Sequence, residues 1–163
     1  MWKEVTNDDN GLKKFVEIQR TMGGVYLDTT FEYLKRRIAK KSRDWHFFIY
    51  DDGDYEITLG FYYNESKDKI KVAYGGIGKY ANFKIGVSIA AKKIKEYLAS
   101  KGKEGYTILN PDGLEPKAIL CYREILAEFR KEMDCSKHNL SGNKDGYEFK
   151  IKKEPIRIRR VGG

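Results

Sequence analysis

Apolar and polar positions along this chain change their spacing several times, and each change marks an element. Trp2 to Val5 reads as a short strand. Leu12, Phe15, Val16 and Ile18 recur at helical spacing behind Asp8, Asp9 or Asn10, any of which can cap a helix. Thr21-Met22-Gly23-Gly24 reads as its end, because paired glycines stop helices. Asp28, Thr29 or Thr30 can cap a second helix with Phe31, Leu34 and Ile38 on its apolar face and Arg36, Arg37, Lys40 and Lys41 over much of the rest. Strands follow. Trp45 to Tyr50 is aromatic and β-branched, Asp51-Asp52-Gly53-Asp54 is a hairpin turn of the two-residue Asp-Gly kind, and Tyr55 to Tyr63 is the return strand. After a polar turn, Lys69 to Ile77 is a third strand in which Ile70 and Val72 alternate with Lys69 and Lys71.

A glycine-bearing loop then leads into a helix over 84–100, whose stripe is Val87, Ala90, Ala91, Ile94 and Leu98. Gly105 to Asn110 is a short strand, and residues 115–132 form another amphipathic helix with Ala118, Ile119, Tyr122, Leu126 and Phe129 on one face. Asp134 to Asp145 reads as a polar loop. Tyr147, Phe149 and Ile151 alternate with charges as a strand, with Ile156 to Val161 as its partner. The order is β-α-α-β-β-β-α-β-α-β-β, which predicts an α+β protein with a mixed, mostly antiparallel sheet flanked by helices. Its 163 residues suit one domain over 1–163.

Composition narrows the classes. No apolar run approaches the roughly 20 residues of a membrane helix, and the N-terminal residues lack a secretory pattern. Two cysteines, Cys121 and Cys135, build neither a disulfide framework nor a four-thiolate zinc site. His46 and His138 lack metal-ligand company in sequence, so no metal is expected. The expectation is a cytoplasmic protein without a membrane partner, either a monomer or a homodimer.

Charge adds a location. The net charge of +8 is concentrated in residues 69–103, where nine lysines face a single acid, Glu96; residues 1–68 carry a net −2. Such a segment either attracts phosphates and nucleic acid or is a solvated helix face. It opens with Tyr74-Gly75-Gly76-Ile77-Gly78-Lys79-Tyr80-Ala81-Asn82-Phe83-Lys84-Ile85-Gly86-Val87-Ser88, a strand end, a glycine-bearing turn and a helix start. A helix N-terminus presents unpaired N–H groups and partial positive charge, which favour a diphosphate.

Element order and this stretch resemble the GCN5-related N-acetyltransferase (GNAT) fold over about residues 2–152. The family pattern Gln/Arg-x-x-Gly-x-Gly/Ala falls on Ala81-Asn82-Phe83-Lys84-Ile85-Gly86; Gly86 matches, while Ala81 and Lys84 depart from it. A second likeness is Asn110 at a strand end followed by Ala118-x-x-x-Tyr122 on a helix, where the family's Gly-Phe is absent. The resemblance implies a transferase that uses acetyl-CoA or another acyl-CoA. It places Gly76, Ile77, Gly78, Lys79, Asn82, Lys84, Ile85, Gly86, Val87 and Asn110 at the cofactor. It makes Tyr122 the proton donor to the departing thiolate, which suits a phenol with pKa near 10. The third strand offers no acid as general base, so Glu56 and Asp54 of the preceding strand are the nearest candidates, with Glu56 taken as the catalytic one. The acceptor is an amine of unknown identity. Basic regions at 69–103 and 150–160 would suit an anionic one such as tRNA or modified DNA. The alternative is a GNAT-like basic module without catalysis that binds nucleic acid or a host protein.

Overall fold

The structure, a computed structural model, describes residues 1–21, 30–40, 43–109, 116–139 and 145–151. They form β1 (Trp2–Glu4), α1 (Asp9–Thr21), α2 (Phe31–Ala39), β2 (Trp45–Asp51), β3 (Glu56–Asn64), β4 (Lys69–Lys79), α3 (Phe83–Lys101), β5 (Gly105–Leu109), α4 (Pro116–Glu132), β6 (Met133–Asn139) and β7 (Asp145–Ile151). One seven-stranded sheet runs β1-β2-β3-β4-β5-β7-β6. Every neighbouring pair is antiparallel except β4 and β5, which α3 joins by a crossover.

Because the central strands are buried on both faces, two cores form, one on each side of the sheet. On one side Leu12, Phe15 and Val16 of α1 and Leu34 of α2 pack on Phe47, Ile49, Tyr62 and Tyr74. On the other, Ala90, Ile94 and Leu98 of α3 pack on Ile57, Leu59, Phe61, Val72, Met133 and Phe149. Local chemistry sets the helix ends. The Thr30 hydroxyl accepts from the Tyr33 N–H and caps α2, and Gly102 takes the left-handed conformation that closes α3 (φ 61°).

Two expectations need correction. The 134–145 stretch is not all loop: β6 pairs with β7 through seven residue pairs. An edge strand needs few apolar residues, since the ladder holds it, and here Met133 and Cys135 reach the core. Its partner is therefore 133–139, while Ile156 to Val161 lies outside the described residues. The third strand also runs two residues beyond the expected Ile77, because β4 continues to Lys79 and takes Gly78 out of the loop. The turn between β2 and β3 falls where expected: the Asp52 N–H donates to the Tyr55 carbonyl at 3.3 Å across Gly53 and Asp54. Asp51 pairs with Glu56, leaving four residues between them, and the Asp52 carboxylate accepts from the Asp54 and Tyr55 N–H groups. No helix among the described residues is long and apolar enough to cross a membrane.

Candidate active site

β4 and β5 begin side by side and then part. Their pairing covers only Ile70↔Gly105 and Lys71↔Tyr106, although β4 continues for eight more residues. The Thr107 hydroxyl donates to the Val72 carbonyl at 2.9 Å, a side-chain bond where the main-chain ladder has already ended. Beyond it, β4 from Ala73 to Lys79 has no strand partner on its β5 side among the described residues. A parallel pair that splits leaves backbone donors and acceptors open to a ligand in the gap.

A bulge sits at the mouth of this gap. Gly60 pairs with Ala73 and Thr58 with Gly76, so Tyr74 and Gly75 together face Leu59. Tyr74 takes a positive φ of 52°, an uncommon conformation for an aromatic residue. Two side chains, bonded to each other, hold it there. The Tyr74 carbonyl accepts from Gln19 Nε2 at 2.7 Å and from the Thr58 hydroxyl at 2.9 Å, while Gln19 Nε2 also reaches Thr58 Oγ1. Gln19 is 2% exposed and Thr58 fully buried, so these bonds form without competition from water. The Tyr74 ring packs edge-on against Phe15 and tilted against Trp45 and Phe47.

At the far end of β4 lies the start of α3. Asn82 caps it: its side-chain oxygen accepts from the Ile85 N–H at 3.2 Å and its carbonyl from the Gly86 N–H at 3.1 Å. The Asn82 N–H in turn donates to the Tyr55 hydroxyl. No acid occupies the first turn, so nothing there offsets the positive end of the helix dipole. Gly86 sits in a tight contact. A Cβ there would sit 3.1 Å from Ile77 Cδ1 and 3.5 Å from the Tyr55 ring. Gly78 is required on the opposite face, where a Cβ would meet Ile18 Cγ2 at 2.7 Å and Thr21 Oγ1 at 2.9 Å. Lys84, which departs from the family pattern, is exposed and leaves the approach of α3 to Ile77 clear. Tyr80 and Ile85 are exposed apolar residues on the same turn, at 52% and 51%.

The structure therefore brings Gly76, Ile77, Gly78 and Lys79 to the end of β4, beside Asn82, Lys84, Ile85, Gly86 and Val87 at the start of α3. Gly76 to Lys79, however, belong to the strand itself. Asn110 lies outside the described residues. Tyr122 belongs to α4 by its backbone, and its side chain lies outside what is described. Glu56 is on the α1 face of β3, its carboxylate 4.0 Å from Lys14 Nζ, and it pairs in register with Lys79. Gln19, Thr58 and the Tyr74 bulge escape the sequence reading. The available signal was a glutamine at position 19, in step with Leu12, Phe15 and Val16 on the buried face of a helix. Among the described residues no group of three His, Cys, Asp or Glu side chains is placed to hold a metal.

Four of the nine lysines of the basic segment face described carboxylates. Lys69 lies 3.8 Å from Glu104, Lys93 3.6 Å from Glu96, Lys95 3.7 Å from Glu132 and Lys103 2.6 Å from Asp68. Lys79 Nζ donates to the Gly53 carbonyl, and Lys71 lies over the Tyr62 ring.

No protein-family model and no curated protein matches the chain. Solved structures do. A spermidine N-acetyltransferase chimera of Vibrio cholerae SpeG and hSSAT aligns with a TM-score of 0.58 at 10% identity, over 93% of this chain and 96% of that one. An aminoglycoside 6'-acetyltransferase type Ii aligns with a TM-score of 0.60 at 12% identity, over 95% of this chain and 99% of that one. The chain has the fold of GNAT acetyltransferases, in divergent form.

Proposed function

We propose that the protein is an N-acyltransferase that takes its acyl group from acetyl-CoA or a related acyl-CoA. The observation that carries this is the splay of β4 from β5, with a pinned bulge at its mouth and an acid-free, capped helix start at its end. In this reading the N–H groups of the first turn of α3, with Lys79 and Lys84 beside them, hold the diphosphate. The acyl-CoA supplies a thioester, and backbone N–H groups near Gly76 and Ile77 polarise its carbonyl. An amine forms the new C–N bond as the C–S bond breaks. Glu56 takes the amine proton, and Tyr122 gives one to the leaving thiolate.

Calorimetric titration with acetyl-CoA and with free CoA tests the reading. A one-to-one complex of roughly micromolar Kd that persists at about 0.15 M salt supports it. Absence of binding, or binding that salt abolishes, overturns it. If binding holds and an acceptor amine is found, Tyr122→Phe and Glu56→Gln are expected to lower kcat by about 100-fold while leaving acetyl-CoA affinity unchanged.

A further inference from the structure

A second constellation lies at the other end of β4. Arg36, Arg37, Lys40 and Arg43 line one cleft of about 600 Å³ together with Tyr33 and Trp45. Helix periodicity puts Arg36, Arg37 and Lys40 on adjoining positions at the end of α2, and Arg43 enters just before β2. None of the four pairs with a described carboxylate. Of the acids nearby, Asp9 pairs with Lys35 at 3.0 Å and Asp44 with His46 at 3.0 Å, while Glu32, one turn before Arg36 on α2, has no described ion pair with the cluster.

Arg37 is fixed by aromatic rings rather than by a counter-charge. Its guanidinium carbon lies 4.6 Å from the Tyr33 ring centroid and 5.4 Å from that of Trp45, and Nη2 donates to the Tyr33 hydroxyl. Its Nε is buried with no partner. Arg36, Lys40 and Arg43 are exposed around it. Converging four cations without an acid is unfavourable unless an anion occupies the space. A monocarboxylate offsets one charge of four, whereas a phosphorylated ligand offsets two or more and matches the guanidinium fork.

The cleft is remote from the α3 N-terminus. Trp45, Tyr62 and Lys71 are register partners, which sets the cleft beside the start of β4. Lys79 ends β4 eight residues on, a distance of roughly 26 Å at ordinary strand rise. One diphosphate cannot serve both places. We propose that this cleft is a phosphate-binding site, separate from the helix start at α3, for a ligand carrying at least two negative charges. The site stands whether or not the chain transfers acyl groups.

The test is titration of the full-length chain with inorganic pyrophosphate at about 0.05 M salt, with and without saturating CoA. It compares wild type, Arg36→Ser/Arg43→Ser and Lys92→Ser/Lys101→Ser. All four substituted side chains are exposed, and both pairs remove the same charge. The expected result is pyrophosphate binding that persists under CoA, falls about tenfold or more in the arginine pair and changes less than about twofold in the lysine pair. Equal losses in the two pairs mean diffuse charge and overturn the site, as does no binding to wild type. Displacement by CoA, with CoA affinity also lost in the arginine pair, assigns the cleft to CoA and overturns its separateness. Pyrophosphate binding without CoA binding leaves this site intact while the acyl-CoA reading fails. A short single-stranded oligonucleotide identifies the source. Binding tighter than pyrophosphate with the same arginine dependence marks a polynucleotide, and weaker binding marks a small phosphate ligand; both support the site.

Discussion

Residues 69–103 hold nine lysines against one acid, and residues 1–68 carry a net −2, yet the four cations that share one cleft without a described carboxylate partner come from residues 1–68. The fold explains the inversion. Glu104, Glu132 and Asp68 reach the lysines of α3 and its flanks from outside the segment, and Lys93 lies 4.5 Å from the centre of the Phe48 ring. The acids of residues 1–68 bind other groups or stay apart: Asp51 and Asp52 hold the β2–β3 turn, Asp9 pairs with Lys35, Asp44 with His46, and Glu32 starts α2 with no described ion pair to the arginines. A charge sum along the chain thus located many basic residues but not the field. What remains at the start of α3 is a dipole end and backbone N–H groups, suited to one diphosphate. What remains beside α2 is a cluster of whole charges.

The comparison breaks most severely if the scaffold that separates the two ends of β4 is disturbed. Gly78→Val places a Cβ against Ile18 and Thr21 of α1, with the Ile18 carbonyl behind them. It is expected to cost about 1–3 kcal/mol, read as a lower denaturation midpoint, with acetyl-CoA binding weakened alongside. Thr58→Val keeps the shape but takes one donor from the Tyr74 carbonyl and the hydroxyl partner from Gln19. Its expected cost is about 1–2 kcal/mol by denaturant melt, together with a lower affinity for acetyl-CoA as the bulge loses its pin.

Asn82 sharpens the comparison at the α3 end. Asn82→Ala removes the cap and costs about 1 kcal/mol. Asn82→Asp keeps the cap and the melting temperature, but it sets a negative charge beside the proposed diphosphate. Acetyl-CoA affinity is expected to fall about tenfold while pyrophosphate binding at the arginine cleft holds.

The smallest effect concerns pH. The hydrogen bond from Lys14, then that from the Gly53 N–H, holds the Asp51 carboxyl below its ordinary 3.8. A depressed acid contributes stability that is complete above its unfolded pKa and is lost as pH falls through the folded one. Wild type should therefore lose slightly more stability than Asp51→Asn between about pH 5 and pH 2 in paired melts, with a small gap because both partners are part-exposed.

How much was legible follows from which forces were local. The apolar stripe at 12, 15, 16 and 18 and the run from Trp45 to Tyr50 placed α1 and β2 within a residue or so, because burial sets their period. The start of α3 was legible too, since capping and the helix dipole are properties of adjacent residues. β6 was not, because an edge strand is held by its ladder with β7 and carries little apolar pattern. The bulge was not, because Gln19, Thr58 and Tyr74 meet only across the sheet. The arginine cleft stayed hidden in plain composition: Arg36, Arg37 and Lys40 read as an ordinary solvated face until Tyr33, Trp45 and Arg43 closed around them.

One measurement addresses the central claim most directly: an amide ¹H–¹⁵N correlation map of the protein, recorded as acetyl-CoA is added. The account predicts that the amides of Gly76–Lys79 and Asn82–Val87 shift together with one saturation curve while those of Arg36 to Lys40 and Arg43 stay in place. Shifts confined to the arginine cleft, with the end of β4 and the start of α3 unmoved, would contradict it.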